Sequence, residues 1–244
     1  MTVGSPAPSR TWSAWIEQLG STRPDVALMA PFMAYLLLMP VADLVPITWA
    51  PAAIALRGIG SLAVFWAFRR HLPAWGRPHW GLAVVAGVVC AWGWVVGQYV
   101  CDHFGVGGRL PGMPGEKTVV DPRVALGADD LFWATWWARL VVATVAVPIV
   151  EEFFWRGFLL RALVDWHHFD RVPLGTFTWL SFLGTSLLST IQHPDNWVVS
   201  ILCWMAFNAL FYWTRSLLCL VLVHGITNLV LYVITLRVDD WAFF

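Results

Sequence analysis

Three groups of reactive side chains stand where apolar residues otherwise dominate. Glu151-Glu152-Phe-Phe-Trp-Arg156 follows directly on the apolar stretch Val141–Val150, His193 lies between two apolar runs just ahead of Pro194-Asp195, and His224 and Asn228 interrupt the nearly all-apolar Leu217–Leu236. An ionisable side chain costs roughly 2.5–3.5 kcal/mol at the centre of a membrane helix, so each needs a partner or a task. On a helix Glu152 and Arg156 are four apart and share a face, where they neutralise each other, whereas Glu151 is rotated about 100° away. Glu151 is thereby left for chemistry. The i, i+4 spacing also turns His224 and Asn228 to one side of their helix. A carboxylate pair, two histidines and an asparagine are the parts of a water-activating base and an oxyanion-binding pair.

The same residues admit blander readings. Glu151, Glu152 and Arg156 fit a solvated helix end, His193 a capping or interfacial histidine, and His224 with Asn228 an interhelical hydrogen bond worth about 0.6 kcal/mol. Glu151, His193 and His224 also make a His₂Glu set, the ligand type of catalytic zinc. Because three separate apolar runs supply those residues, no local His-x-x-x-His signature exists, and the favoured chemistry is metal-free with no cofactor.

The elements that must position these groups are membrane spans. Hydrophobic residues make up 59% of the 244, charged residues 12%, and the mean hydropathy is +0.66, against about 25% charged in an ordinary soluble domain. Apolar runs at about 26–45, 50–68, 81–100, 131–150, 174–191, 197–213 and 217–236 have the length of bilayer-crossing helices. The expected fold is therefore an all-α, polytopic transmembrane bundle of about seven or eight spans. Its organisation reads as a polar N-terminal tail over 1–24 with an interfacial Trp12/Trp15 segment and no signal-peptide pattern, then one transmembrane domain over 25–244, with 130–236 carrying the reactive core. Lys and Arg balance Asp and Glu at 15 each, which speaks against a nucleic-acid partner. The four cysteines form neither a disulfide framework nor a Cys-x-x-Cys pair.

Arg10, Arg23, Arg69, Arg70, Arg77, Arg161, Arg171 and Arg215 fall on one side, the cytoplasmic one, if each run crosses once. That count sets Glu151 at the cytoplasmic end of its run and His193 at the outer end of the next. Broken helices or a different span count must reconcile the two. Asp43 and Arg57 are candidates to pair across the first two runs, and Asn208 and Arg139 read as interhelical glue and a snorkelling charge.

In order and placement, Glu151-Glu152-x-x-x-Arg156, His193 and His224-x-x-x-Asn228 resemble the CAAX-protease and bacteriocin-processing family of membrane peptidases. The stretches His193-Pro-Asp-x-x-Trp197, Phe207-Asn208, Arg215-Ser216-Leu217 and His224-Gly-Ile-Thr-Asn228 are similar to the bacterial CAAX prenyl protease-related branch found beside exosortase systems. The likeness covers about 130–236. It departs from the family at Ser189, where Phe is usual, four positions before the middle histidine. What the resemblance implies is an intramembrane endopeptidase in which Glu151 is general base on a water held with His193, His224 and Asn228 bind the oxyanion, and Glu152 and Arg156 shape the site. It also implies a membrane-associated protein or peptide substrate, a bacterial inner-membrane location, and possible exosortase-type partners. The prenyl-cysteine specificity of eukaryotic members does not carry over, since no residue pattern marks a prenyl pocket. The competing class is a non-enzymatic membrane protein, an immunity, assembly or transport factor that keeps these polar residues as packing glue. A transporter would show inverted repeats or paired broken helices, and the sequence has neither.

Overall fold

The computed structural model describes residues 11–115, 119–127 and 129–243; the part of the polar N-terminal tail before Thr11, including Arg10, lies outside them. Every regular element among these residues is helical. Five helices are long and apolar enough to cross a membrane, here α3 (Ile47–His71), α4 (Trp80–His103), α5 (Asp129–Ala162), α7 (Pro194–Thr214) and α8 (Leu217–Val238); two shorter apolar helices are α2 (Pro24–Leu37) and α6 (Trp179–Ile191). Helix α1 (Trp12–Thr22) precedes them with Trp12 and Trp15 exposed. The seven apolar helices correspond one to one with the seven apolar runs.

Local chemistry sets the ends that matter for function. Thr178 and Ser181 form a reciprocal capping box that starts α6. Pro194 disfavours helical backbone at His193, which sits at φ −125°, ψ 57° and opens α7. The chain is thus broken at Gln192-His193-Pro194, and His193 is carried by the break rather than by a helix face. Ser216 caps α8 by accepting from the Cys219 amide, after Arg215 closes α7 in the left-handed region at φ 50°.

Helix α5 resolves the conflict over depth. Its 34 residues run unbroken from Asp129 to Ala162, about 50 Å of helix, so Glu151 and Glu152 lie well inside it rather than at an end. Two π-helical segments, Val142–Ala146 and Phe153–Leu159, bracket the carboxylates, and such segments concentrate at functional sites. Pro148 explains the first. The Val147 amide bonds back to the Val142 carbonyl, five residues away, which deprives the Ala143 carbonyl of its α-helical donor. The next amide that could serve it belongs to Pro148, which has no N–H.

Helix α8 packs on α4 and on the Pro148 region of α5, while α3 lies against α2 and α5. Close approach is made possible by Gly225, where a Cβ would come within 2.6 Å of the Thr144 carbonyl oxygen, and by Gly87, where it would come within 2.7 Å of Ile226. The main core joins Phe153, Phe158 and Leu160 of α5 to Phe207, Phe211, Leu217, Leu220 and Val223 of α7 and α8. The pairing expected between Asp43 and Arg57 does not form: Asp43 is exposed, and Arg57 instead lies over the Tyr35 ring, 4.5 Å from its centroid.

Candidate active site

Glu152 and Arg156 are both fully buried at 0% exposure. Arg156 Nη1 donates to Glu152 Oε1 at 3.2 Å and stands 3.0 Å from Oε2, the i, i+4 pair expected from the spacing. The pair has a third member that spacing did not give. His224 Nδ1 lies 2.9 Å from Glu152 Oε1, and a carboxylate only accepts, so Nδ1 carries the proton. That bond fixes the imidazole and leaves Nε2 as the ring nitrogen available to other chemistry. The Arg156 guanidinium stacks over Trp204 and Phe207, 5.4 and 5.6 Å from their centroids. Its Nε and Nη2 are buried without a hydrogen-bond partner.

Asn228 uses the carbonyl that Pro148 releases. Its Nδ2 donates to Ala143 O at 2.7 Å, tying α8 to the π-helical turn of α5. One amide N–H is thereby engaged, and the other, along with Oδ1, remains for further contacts.

His193, His224 and Asn228 line a common pocket of about 240 Å³ together with Trp94, Trp204 and Tyr232. The His193 ring is held between Trp94 and Trp204, with centroid distances of 5.2 and 5.5 Å, and the His224 ring packs edge-on to Phe207 at 5.6 Å. Aromatic walls lower the local polarity and so strengthen polar interactions beside them. Glu151 is buried at 6% exposure but is not part of the pocket wall. Its Oε1 accepts from Gln192 Nε2 at 3.1 Å, so Glu151 is attached to the residue next to His193, across α5 and the α6–α7 break. Among the described residues no three of His, Cys, Asp and Glu cluster as a metal-holding group.

Several contributors escaped the sequence. Gln192 is a polar residue at the end of an apolar run and carries the same signal as His193. Tyr232, Trp204 and Phe243 also line the pocket, and an aromatic residue among many carries no such signal. Asn208 is the glue expected of it, donating to Thr185 Oγ1 at 2.8 Å, to Ser186 Oγ at 3.1 Å and to the Phe182 carbonyl at 3.2 Å. Ser189 is fully buried and shares a hydrogen bond with Ser200 at 2.8 Å, so a small polar contact joins α6 to α7 where Phe is usual.

Residues 133–230 match the model of the Rce1-like type II CAAX prenyl endopeptidase family. No curated protein and no solved structure matches the chain, and the family match carries no exosortase component. The matched stretch spans both bracketed carboxylates, the His193 break and the His224/Asn228 helix. The chain is thus an integral membrane protein, and over residues 133–230 it is similar to the Rce1-like type II CAAX prenyl endopeptidase family of proteases.

Proposed function

We propose that the protein is an intramembrane endopeptidase that hydrolyses a peptide bond of a membrane-associated protein without a metal ion. The observation that carries the proposal is the convergence of His193, His224 and Asn228 on one aromatic-walled pocket, with Glu151 tethered beside His193 through Gln192. A water held by His193 gives a proton to Glu151 as its oxygen attacks the scissile carbonyl carbon. The carbonyl oxygen gains the charge, and the free N–H of Asn228 and a protonated His224 Nε2 stabilise it. Glu152 orients that ring by accepting from Nδ1, and the Arg156 guanidinium pairs with Glu152 and holds it in place. As the intermediate collapses, the C–N bond breaks and the proton on Glu151 passes to the leaving amine, which restores the carboxylate.

The match to a prenyl endopeptidase family speaks for a protein substrate held at the membrane, and the resemblance to bacterial members speaks for an inner-membrane location. No residue of the pocket calls for an isoprenoid. The test is a comparison of membrane-protein termini, by mass spectrometry, between cells carrying the wild-type chain and cells carrying Glu151→Gln. At least one membrane protein shortened only in the wild-type cells is expected. Identical termini in both would leave the polar residues as packing glue.

A further inference from the structure

The break that carries His193 is held from outside the stretch that matches the family. His193 and Asn196 both line the candidate active-site pocket, and the two residues between them, Pro194 and Asp195, are gripped by a distant segment. The Leu110 amide donates to the Pro194 carbonyl at 2.7 Å. Arg109 Nη1 donates to the two Asp195 carboxylate oxygens at 2.8 and 3.0 Å. Through Nε, Arg109 also donates to the Pro114 carbonyl of its own loop at 2.9 Å, which fixes the guanidinium fork where it meets Asp195.

The gripping segment is itself fastened to α4. Gln98, at 1% exposure, donates through Nε2 to the Gly107 carbonyl at 3.1 Å and to Asp102 Oδ1 at 2.9 Å. A Cβ at Gly107 would collide with Asp102, so glycine lets the chain turn back this close to the helix. Trp94, four residues before Gln98 and on the same side of α4, stands against the His193 ring. One helix therefore supports the break twice, through Trp94 on the His193 side chain and through residues 107–110 on the backbone beyond it. Such support is needed because Pro194 disfavours helical backbone at His193. The local bonds of the break, from the His193 amide to the Ser189 carbonyl at 3.2 Å and from the Asn196 amide to the His193 carbonyl at 3.1 Å, lie toward the long end of the range.

We propose that Arg109 and Asp195 are positioning residues, whose ion pair, together with the bond from Leu110 to Pro194, fixes the break so that His193 keeps its place in the pocket. The hold itself is a matter of structure, and its effect on turnover rests on the hydrolytic reading. The two side chains are 27% and 33% exposed, and ion pairs open to solvent contribute little to stability. Placement is far more sensitive, because a shift on the order of 1 Å in a group that positions a reactant costs about 10²-fold in rate.

Full-length Arg109→Gln, Arg109→Lys and Asp195→Asn are compared with wild type in nanodiscs by amide hydrogen exchange over residues 190–197, by Tm and by steady-state kinetics on a cleavable membrane substrate. Arg109→Gln is expected to leave Tm unchanged and to speed exchange at His193 and Asn196 about tenfold. It should lower kcat about 10–100-fold with KM unchanged. Asp195→Asn should do the same, and the two combined should be no worse than either alone. Arg109→Lys keeps the charge without the fork and should recover part of the rate. Exchange over 190–197 that Arg109→Gln leaves unchanged overturns the proposal, whether or not the protein cleaves anything. A loosened break with wild-type kcat overturns it as well, and so does a raised KM at wild-type kcat, which would make Arg109 a substrate contact. A wild-type chain that cleaves nothing would defeat the hydrolytic reading instead, and exchange alone would then decide whether the break is held.

Discussion

At the scale of single residues, Glu152 is the hub, joining Arg156 and His224 at a fully buried position. Truncating one partner of a buried ion pair strands the other, at about 3–5 kcal/mol. Arg156→Ala is therefore expected to lower Tm in nanodiscs and to reduce protein yield. An unchanged Tm would mean that the pair adds nothing to the fold. Asn228→Ala should behave differently. Loss of its bond to Ala143 costs on the order of 0.6 kcal/mol of stability, whereas loss of an oxyanion donor should lower kcat by roughly 10²–10³ with KM little changed. Steady-state kinetics on a cleavable membrane substrate separate the two, and a wild-type kcat would return Asn228 to packing alone. That His224 and Asn228 face a common site was legible because each is polar where its neighbours are not. The bond between Glu152 and His224 was not, because it spans 72 positions and depends on how α8 is rotated against α5.

At the scale of elements, the feature that matters is a proline that withholds an amide. Pro148 leaves the Ala143 carbonyl unserved within α5, and Asn228 takes it. Pro148→Ala restores an N–H and removes a helix-breaking ring, a change worth up to about 3 kcal/mol in a soluble helix. It should raise Tm while lowering the cleavage rate, since a regular α-helical turn there would reclaim the carbonyl. The variant and Asn228→Ala should also be strongly non-additive in rate. Additive losses would separate the π-helical turn from the site. The apolar runs located seven helices well, because a bilayer imposes both length and composition. The run over 131–150 left the depth of Glu151 open, since hydropathy falls at Glu151-Glu152-x-x-x-Arg156 although one long helix continues to Ala162. Only side chains that satisfy one another inside the bundle allow that.

At the scale of the whole molecule, an aromatic-walled pocket is set among apolar helices, and residues 133–230 carry the family match while α2, α3 and α4 pack around it. The all-helical, membrane-embedded architecture was legible from composition and the apolar runs; the shape of the pocket was not, because it arises only when α4, α7 and α8 meet α5. The choice between a carboxylate-activated and a zinc-activated water also belongs to this scale. Purified active protein is expected to contain no stoichiometric zinc and to keep its rate after chelation. Activity that disappears with the metal and returns with it would install zinc in place of the oxyanion pair. The central claim, that Glu151 is the base, is tested most directly by measuring cleavage rate and Tm for Glu151→Gln beside wild type in the same nanodiscs. The amide keeps the volume and its contact with Gln192 but takes no proton from water, so the account predicts an unchanged Tm and a rate lower by at least about 10²–10⁴-fold. Cleavage at the wild-type rate by a folded Glu151→Gln protein would contradict it.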